Sequence, residues 1–134
     1  MLEEIKKSFS GQFLCPNQYG ALTLAYIGDC VYEMYVRSYL IAACDKRVND
    51  LHKKATKLVC AKAQAEFYHC IEDMLTEEEQ AVFHRGRNAK SQVPKHATLS
   101  DYRIATGVET LLGYLYLNNQ NERISQLMSH LFVG

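Results

Sequence analysis

The sequence predicts an all-α domain, on three observations. Apolar residues recur at helical spacing over long stretches. Helix breakers are scarce, with two prolines (Pro16 and Pro94) and seven glycines in 134 residues. No segment sustains alternation with a period of two, so strands are not expected. The length suits one domain with a real core, and no repeat, low-complexity tract or linker divides it. Residues 1–134 therefore read as a single domain.

Five main helices follow from the pattern, and a short one over residues 2–9 is compatible with it. The first main helix covers about residues 19–44, from its length, its Tyr, Leu and Ala content and its lack of breakers. It is apolar almost all round, so it is expected at the centre of the fold or at a subunit interface. Asp29 and Glu33 lie four apart and share a face. Like charges at that spacing repel and call for a cation or a base nearby.

The second helix is expected over residues 48–73. Leu51, Ala55, Leu58, Val59 and Ala63 form its apolar stripe, and Lys53, Lys54 and Lys57 lie outside it. The third starts at Thr76, where Thr76-Glu77-Glu78-Glu79 has the form of a capping box, and ends near Gly86. Residues 87–98 read as a loop. The fourth helix starts near Ser100 as N-cap and runs to about Leu117, with Ile104, Val108, Leu111, Leu112 and Leu115 as its core stripe. The last covers about residues 122–132, with Ile124, Leu127, Met128 and Leu131 on one face.

Fifteen acids balance fifteen bases. Nucleic-acid binders are often basic overall, which counts mildly against one here. The distribution is uneven, however. Residues 46–62 carry six Lys/Arg and one Asp, and residues 85–95 carry four Lys/Arg and no acid. Acids gather between Glu66 and Glu79 instead. Opposed patches of this kind can bind a polyanion at zero net charge.

The five cysteines (Cys15, Cys30, Cys44, Cys60 and Cys70) include no Cys-x-x-Cys. They read as reduced, mostly buried thiols of a cytoplasmic protein, and no Cys or His pair has zinc-like spacing. The N-terminal residues do not resemble a signal peptide. Residues 21–44 are long enough to cross a bilayer, but Asp29, Glu33 and Arg37 interrupt them, so a core helix is the better reading.

Two features carry chemistry. Asp29 and Glu109 are lone acids in apolar helical stretches, Leu24-Ala25-Tyr26-Ile27-Gly28-Asp29-Cys30-Val31-Tyr32-Glu33 and Gly107-Val108-Glu109-Thr110-Leu111-Leu112-Gly113-Tyr114. A carboxylate on an apolar face loses hydration and needs a partner, a metal or a proton. Two of them suggest a divalent-metal site inside a helical fold, and the competing reading is that each acid pairs locally on its own helix.

The second feature is His84-Arg85-Gly86-Arg87-Asn88-Ala89-Lys90. Its plain reading is a solvated basic loop. Its functional reading is a phosphate clamp, in which Arg supplies a bidentate fork, Gly lets the backbone approach and Lys adds a point charge. No Phe or Trp interleaves it, which favours double-stranded over single-stranded nucleic acid. His96 in the same region is within the class that touches phosphate. His52, His69 and His130 read as surface or satisfied side chains. The nine tyrosines read as core or interface residues.

With these residues in view, the chain resembles the ribonuclease III catalytic domain, and more narrowly mini-ribonuclease III, which lacks a double-stranded-RNA-binding domain. The likeness covers about residues 17–119. It rests on three blocks in order: residues 24–33, Arg85-Gly86-Arg87-Asn88-Ala89-Lys90, and Tyr102-Arg103 through Leu117.

The resemblance implies a bundle of five to seven helices that forms a homodimer, with the helix around Asp29 near the two-fold. It also implies a Mg²⁺-dependent endoribonuclease in which each subunit cuts one strand of an RNA duplex, leaving a 5′-phosphate and a 3′-hydroxyl. The two motif acids fall on Asp29 and Glu109. Two further acids of full-length ribonuclease III are replaced, by Ala25 and Thr106. A thinner acidic set suits Mg²⁺ with more water in its shell. Thr106 is then a candidate metal contact through water, and Glu33 a candidate further acid. Arg85, Arg87, Asn88, Lys90 and Lys95 are the RNA-binding candidates.

The metal is expected to generate the attacking hydroxide and to stabilise the departing 3′-oxygen. Membership also implies maturation of large-subunit (23S) ribosomal RNA, a cytoplasmic location, no membrane, and a possible ribosomal-protein helper. The replaced acids keep a second reading open: a non-catalytic RNA-binding or scaffold protein on the same fold. A helical interaction module is a third reading, but it leaves the basic tract without a purpose.

Overall fold

The computed structural model describes residues 1–43, 47–90, 92–95 and 97–132. Within them the chain forms seven α-helices: α1 Leu2–Lys7, α2 Ala21–Ala43, α3 Val48–Val59, α4 Ala61–Ile71, α5 Glu77–Arg87, α6 Leu99–Leu117 and α7 Asn121–Met128. Single 3₁₀ turns occur at Pro16–Gln18, Glu72–Met74 and Ser129–Leu131. There is no strand among the described residues. The all-α expectation holds.

Three boundaries differ from the sequence expectation, each for a local reason. The helix expected over residues 48–73 breaks at Cys60, whose backbone is extended (φ −65°, ψ 160°). No Gly or Pro marks the break. Contacts from elsewhere hold it: the Tyr32 hydroxyl donates to the Leu58 carbonyl at 2.7 Å, and the Gln64 amide donates to the Val59 carbonyl at 3.0 Å. These satisfy carbonyls that a continuous helix would have bonded itself.

Helix α6 is capped by Thr98 rather than Ser100, because the Thr98 hydroxyl accepts from the Asp101 N–H at 3.1 Å. Helix α7 stops at Met128 and tightens into a 3₁₀ turn. The Thr76 capping box forms as expected, with Glu79 N–H to Thr76 Oγ1 at 3.1 Å and Thr76 N–H to Glu79 Oε1 at 2.9 Å. Glu79 also receives the Arg123 guanidinium at 2.7 and 2.8 Å, which ties α5 to α7.

Helix α6 is the axis of the fold. It is buried along most of its length, and α2, α5 and α4 pack around it, with α2 making the most extensive contact. Leu24, Tyr32 and Val36 of α2 meet Leu111, Leu112 and Leu115 of α6, with Phe83 of α5 against Tyr68 of α4. Each such side chain contributes about 1.5–3 kcal/mol through burial.

Helix α2 is not enclosed all round. One face (Leu24, Ala25, Gly28, Val31, Tyr32, Val36, Leu40) is buried. The other leaves Leu22, Tyr26, Met34 and Ile41 exposed, Tyr26 by 81%. The cysteines follow the same pattern and correct the expectation of buried thiols. Cys15, Cys30, Cys60 and Cys70 are free and exposed, Cys30 on the open face of α2 and Cys60 at the helix break. Cys44 and His96 lie outside the described residues. Among the described residues, no helix is long and apolar enough to cross a membrane.

Candidate active site

The two motif acids meet because two glycines let their helices touch. A Cβ on Gly28 would overlap the Glu109 carbonyl oxygen, and one on Gly113 would overlap the Leu24 carbonyl oxygen. The backbones of α2 and α6 therefore run in contact, and Asp29, one residue past Gly28, stands beside Glu109. The Asp29 carboxyl lies within hydrogen-bonding reach of the Glu109 carboxyl.

Their surroundings differ. Asp29 is exposed and Glu109 is partly buried, so only one of the two is desolvated as the sequence led us to expect. Asp29 keeps its water because the apolar residues beside it on its own helix face, Leu22 and Tyr26, are themselves uncovered. Glu109 is pushed up from 4.5 to about 8, first by burial, then by the Asp29 carboxyl and more weakly by Glu33, against a lowering contact from Gln64. Two acids pressed together with no base between them form a site that favours a cation or a shared proton.

The remaining candidates divide into those near this pair and those apart from it. Thr106 is buried and lines the same cleft as Glu109, but its hydroxyl donates to the Tyr102 carbonyl at 3.0 Å. Its oxygen lone pairs remain to accept from water. Glu33 is engaged by Arg37 at 3.1 Å. Among the described residues, no group of three or more His, Cys, Asp or Glu side chains gathers to hold a metal, and the carboxylates that stand together are the pair Asp29 and Glu109. That set of hard oxygens fits Mg²⁺, which binds through one or two carboxylates and keeps several waters.

Gln64 is the residue the sequence reading missed. It is 3% exposed. Its Nε2 donates to the Val59 carbonyl at 3.0 Å and approaches Glu109 Oε2 at 3.4 Å. Its Oε1 is buried with no partner among the described residues, a defect that ordinarily costs about 1–3 kcal/mol. A polar side chain in the apolar run Ala63-Gln64-Ala65 was the available signal. The cleft beside it is about 290 Å³, lined by Cys60, Gln64, Pro94, Tyr102, Thr106 and Glu109 among others.

The basic tract is half helical rather than a loop. Arg85 and Arg87 occupy the last turn of α5, Asn88 is its C-cap, and Lys90 and Lys95 follow in the connection to α6. All five are exposed. Arg85 is partly committed, since its Nη2 donates to the Tyr19 carbonyl at 2.7 Å. Gly86 does not open the backbone to a ligand. It is buried, and a Cβ there would overlap the Thr110 hydroxyl of α6, so it serves helix packing. Pro94 and Ala97, on either side of Lys95, line the cleft at Glu109. The connection thus borders the cleft at Glu109.

A Ribonuclease III domain model matches residues 22–120. The chain is 51% identical over 113 residues to Mini-ribonuclease 3 of Clostridium tetani, covering 83% of this chain and 75% of that one. It is 47% identical over 115 residues to Mini-ribonuclease 3 of Enterococcus faecalis, covering 84% and 87%. A crystal structure of a Fusobacterium nucleatum protein superposes with a TM-score of 0.77 at 30% identity, covering 84% of this chain and 90% of that one. With the acids of α2 and α6 paired inside that shared helical fold, this chain belongs to the ribonuclease III family, in its Mini-ribonuclease 3 branch.

Proposed function

We propose that the chain is a Mg²⁺-dependent endoribonuclease that hydrolyses double-stranded or structured RNA to 5′-phosphate and 3′-hydroxyl ends. Its family makes it an endoribonuclease. The observation that carries the metal-dependent reading is the contact between the Asp29 and Glu109 carboxyls, with Glu109 pushed up by burial and by Asp29.

Asp29 and Glu109 would hold the cation, with Thr106 contacting it through water and Glu33 adding negative potential from one helical turn away. When bound, Mg²⁺ supplies a water acidic enough to attack at neutral pH and a positive charge opposite the leaving oxygen. The chain's own residues do the positioning. The α2–α6 contact fixes the distance between the acids. Arg87, Asn88, Lys90 and Lys95 would hold phosphates along the connection that reaches the cleft. Arg85 would add charge there while bracing the 16–20 segment through Tyr19.

The active form in this reading is a homodimer. The open face of α2 supports it: Leu22, Tyr26, Cys30 and Met34 repeat every four residues and are exposed, a continuous apolar surface of the kind that marks an interface. Each subunit then contributes one acid pair and cuts one strand. We extend the reading to precursors of large-subunit ribosomal RNA, with a ribosomal-protein helper and a cytoplasmic location.

Incubating a generic RNA duplex with the protein in Mg²⁺ and in chelator tests the activity. Cleavage with 5′-phosphate ends in Mg²⁺ alone is expected. Binding without cleavage in both would instead favour a non-catalytic RNA-binding scaffold.

A further inference from the structure

We propose that Gln64 is a positioning residue of the metal site, its Nε2 orienting the Glu109 carboxylate and its Oε1 accepting from a water that arrives with the cation. This rests on the metal-dependent reading above and adds to it a residue outside the acids. Three observations carry it.

The first is the orientation of the amide, which is not arbitrary. The Val59 carbonyl 3.0 Å away can only accept, so the nitrogen must face it. The second hydrogen on that nitrogen then points to Glu109 Oε2, at a long 3.4 Å. A contact of that length leaves room to tighten as the carboxylate turns onto an ion.

The second is the oxygen. With the amide fixed by Val59, Oε1 is buried, and among the described residues none donates to it. Met or Leu fills a similar volume without burying an acceptor. The adjoining cleft is roomy enough for waters, and a water held there supplies the donor that no described residue provides.

The third is the helix break. Gln64 lies in the first turn of α4 and caps α3 through Val59, so its amide is held by the junction that ends one helix and begins the next. Its reach toward Glu109 is set by backbone rather than by a mobile stem.

The test is Mn²⁺ binding to the RNA-free protein by electron paramagnetic resonance, with thermal midpoints in chelator. Gln64→Met is expected to weaken Mn²⁺ about 10–100-fold, the usual effect of losing a group that orients a metal ligand. It is expected to weaken binding less in a Glu109→Gln background, because the Nε2 part of its role runs through Glu109 and only the water held by Oε1 remains to be lost. Unchanged Mn²⁺ affinity in Gln64→Met overturns the proposal, and so does an equal loss in both backgrounds. If Gln64→Met does not fold, Gln64→Asn, which keeps the amide but draws it back by one methylene, is read by the same criteria. Asp29→Asn is the control: if it binds Mn²⁺ as the parent does, the metal reading itself fails, whereas loss in Asp29→Asn with none in Gln64→Met removes only the role of Gln64.

Discussion

Gly28 lies against the carbonyl of Glu109 so closely that a Cβ has no space between them. The contact is a packing feature with a functional consequence, because it sets how near Asp29 comes to Glu109. Gly28→Ala should push α2 from α6. The overlapped atom is backbone, so relief requires the helices to separate. A loss of about 1–3 kcal/mol is expected from overpacking, read as a lower denaturant midpoint. Cleavage should fall further than stability accounts for, when measured at a temperature where the variant is folded. A variant that loses stability but keeps full turnover would show that the spacing of the acids is not critical.

Glu109 gives a pH dependence whose sign follows from its shift. Its proton leaves near 4.5 in the unfolded chain and is kept to about 8 in the folded one. Between those values the native state binds more protons, so this residue's contribution to stability falls as pH rises through the window. The metal-free melting temperature should decline across it, and Glu109→Gln should decline less. In the proposed site Mg²⁺ would displace the same proton, so its affinity should rise with pH over the same range. Calorimetric melts and titrations at several pH values check both.

The basic connection predicts a salt effect. Removing charge at Lys90 or Lys95 should weaken duplex binding uniformly across sequences. It should also reduce the log–log salt slope by about one for each phosphate that is no longer neutralised. Arg85→Ala should behave differently, lowering the melting temperature as well, because its guanidinium also holds the Tyr19 carbonyl. Filter binding over a salt series, with melts alongside, separates the two.

The open face of α2 predicts assembly. Met34→Lys and Ile41→Asp place charge on that face away from Asp29, and light scattering should report a shift from dimer to monomer. An unchanged mass in the double variant would put the dimer contact elsewhere.

Much of the fold was legible in the sequence. The helices around Asp29 and Glu109 follow from apolar runs without breakers, and the Thr76 box from four residues alone. The break at Cys60 was not legible, because it is held by Tyr32 reaching in from α2 and by the Gln64 amide folding back onto Val59. Nor was the exposure of Asp29: an apolar helix reads the same whether its second face meets its own core or another subunit. Gly86 looked like a phosphate-approach residue because it sits among Arg and Lys, and only its contact with Thr110 reveals a packing role. Gln64 offered only a weak signal, one amide between Ala63 and Ala65, and its role emerges only from its contacts with Val59 and Glu109.

The proposed mechanism has Asp29 and Glu109 hold the cation jointly. The most direct test is single-turnover cleavage of a duplex by Asp29→Asn in saturating Mg²⁺, beside its duplex affinity in the absence of metal. Losing several kcal/mol of charge stabilisation should slow cleavage by at least about a thousand-fold, with metal-free affinity close to the parent's. Cleavage at the parent rate would contradict the joint role of the two acids.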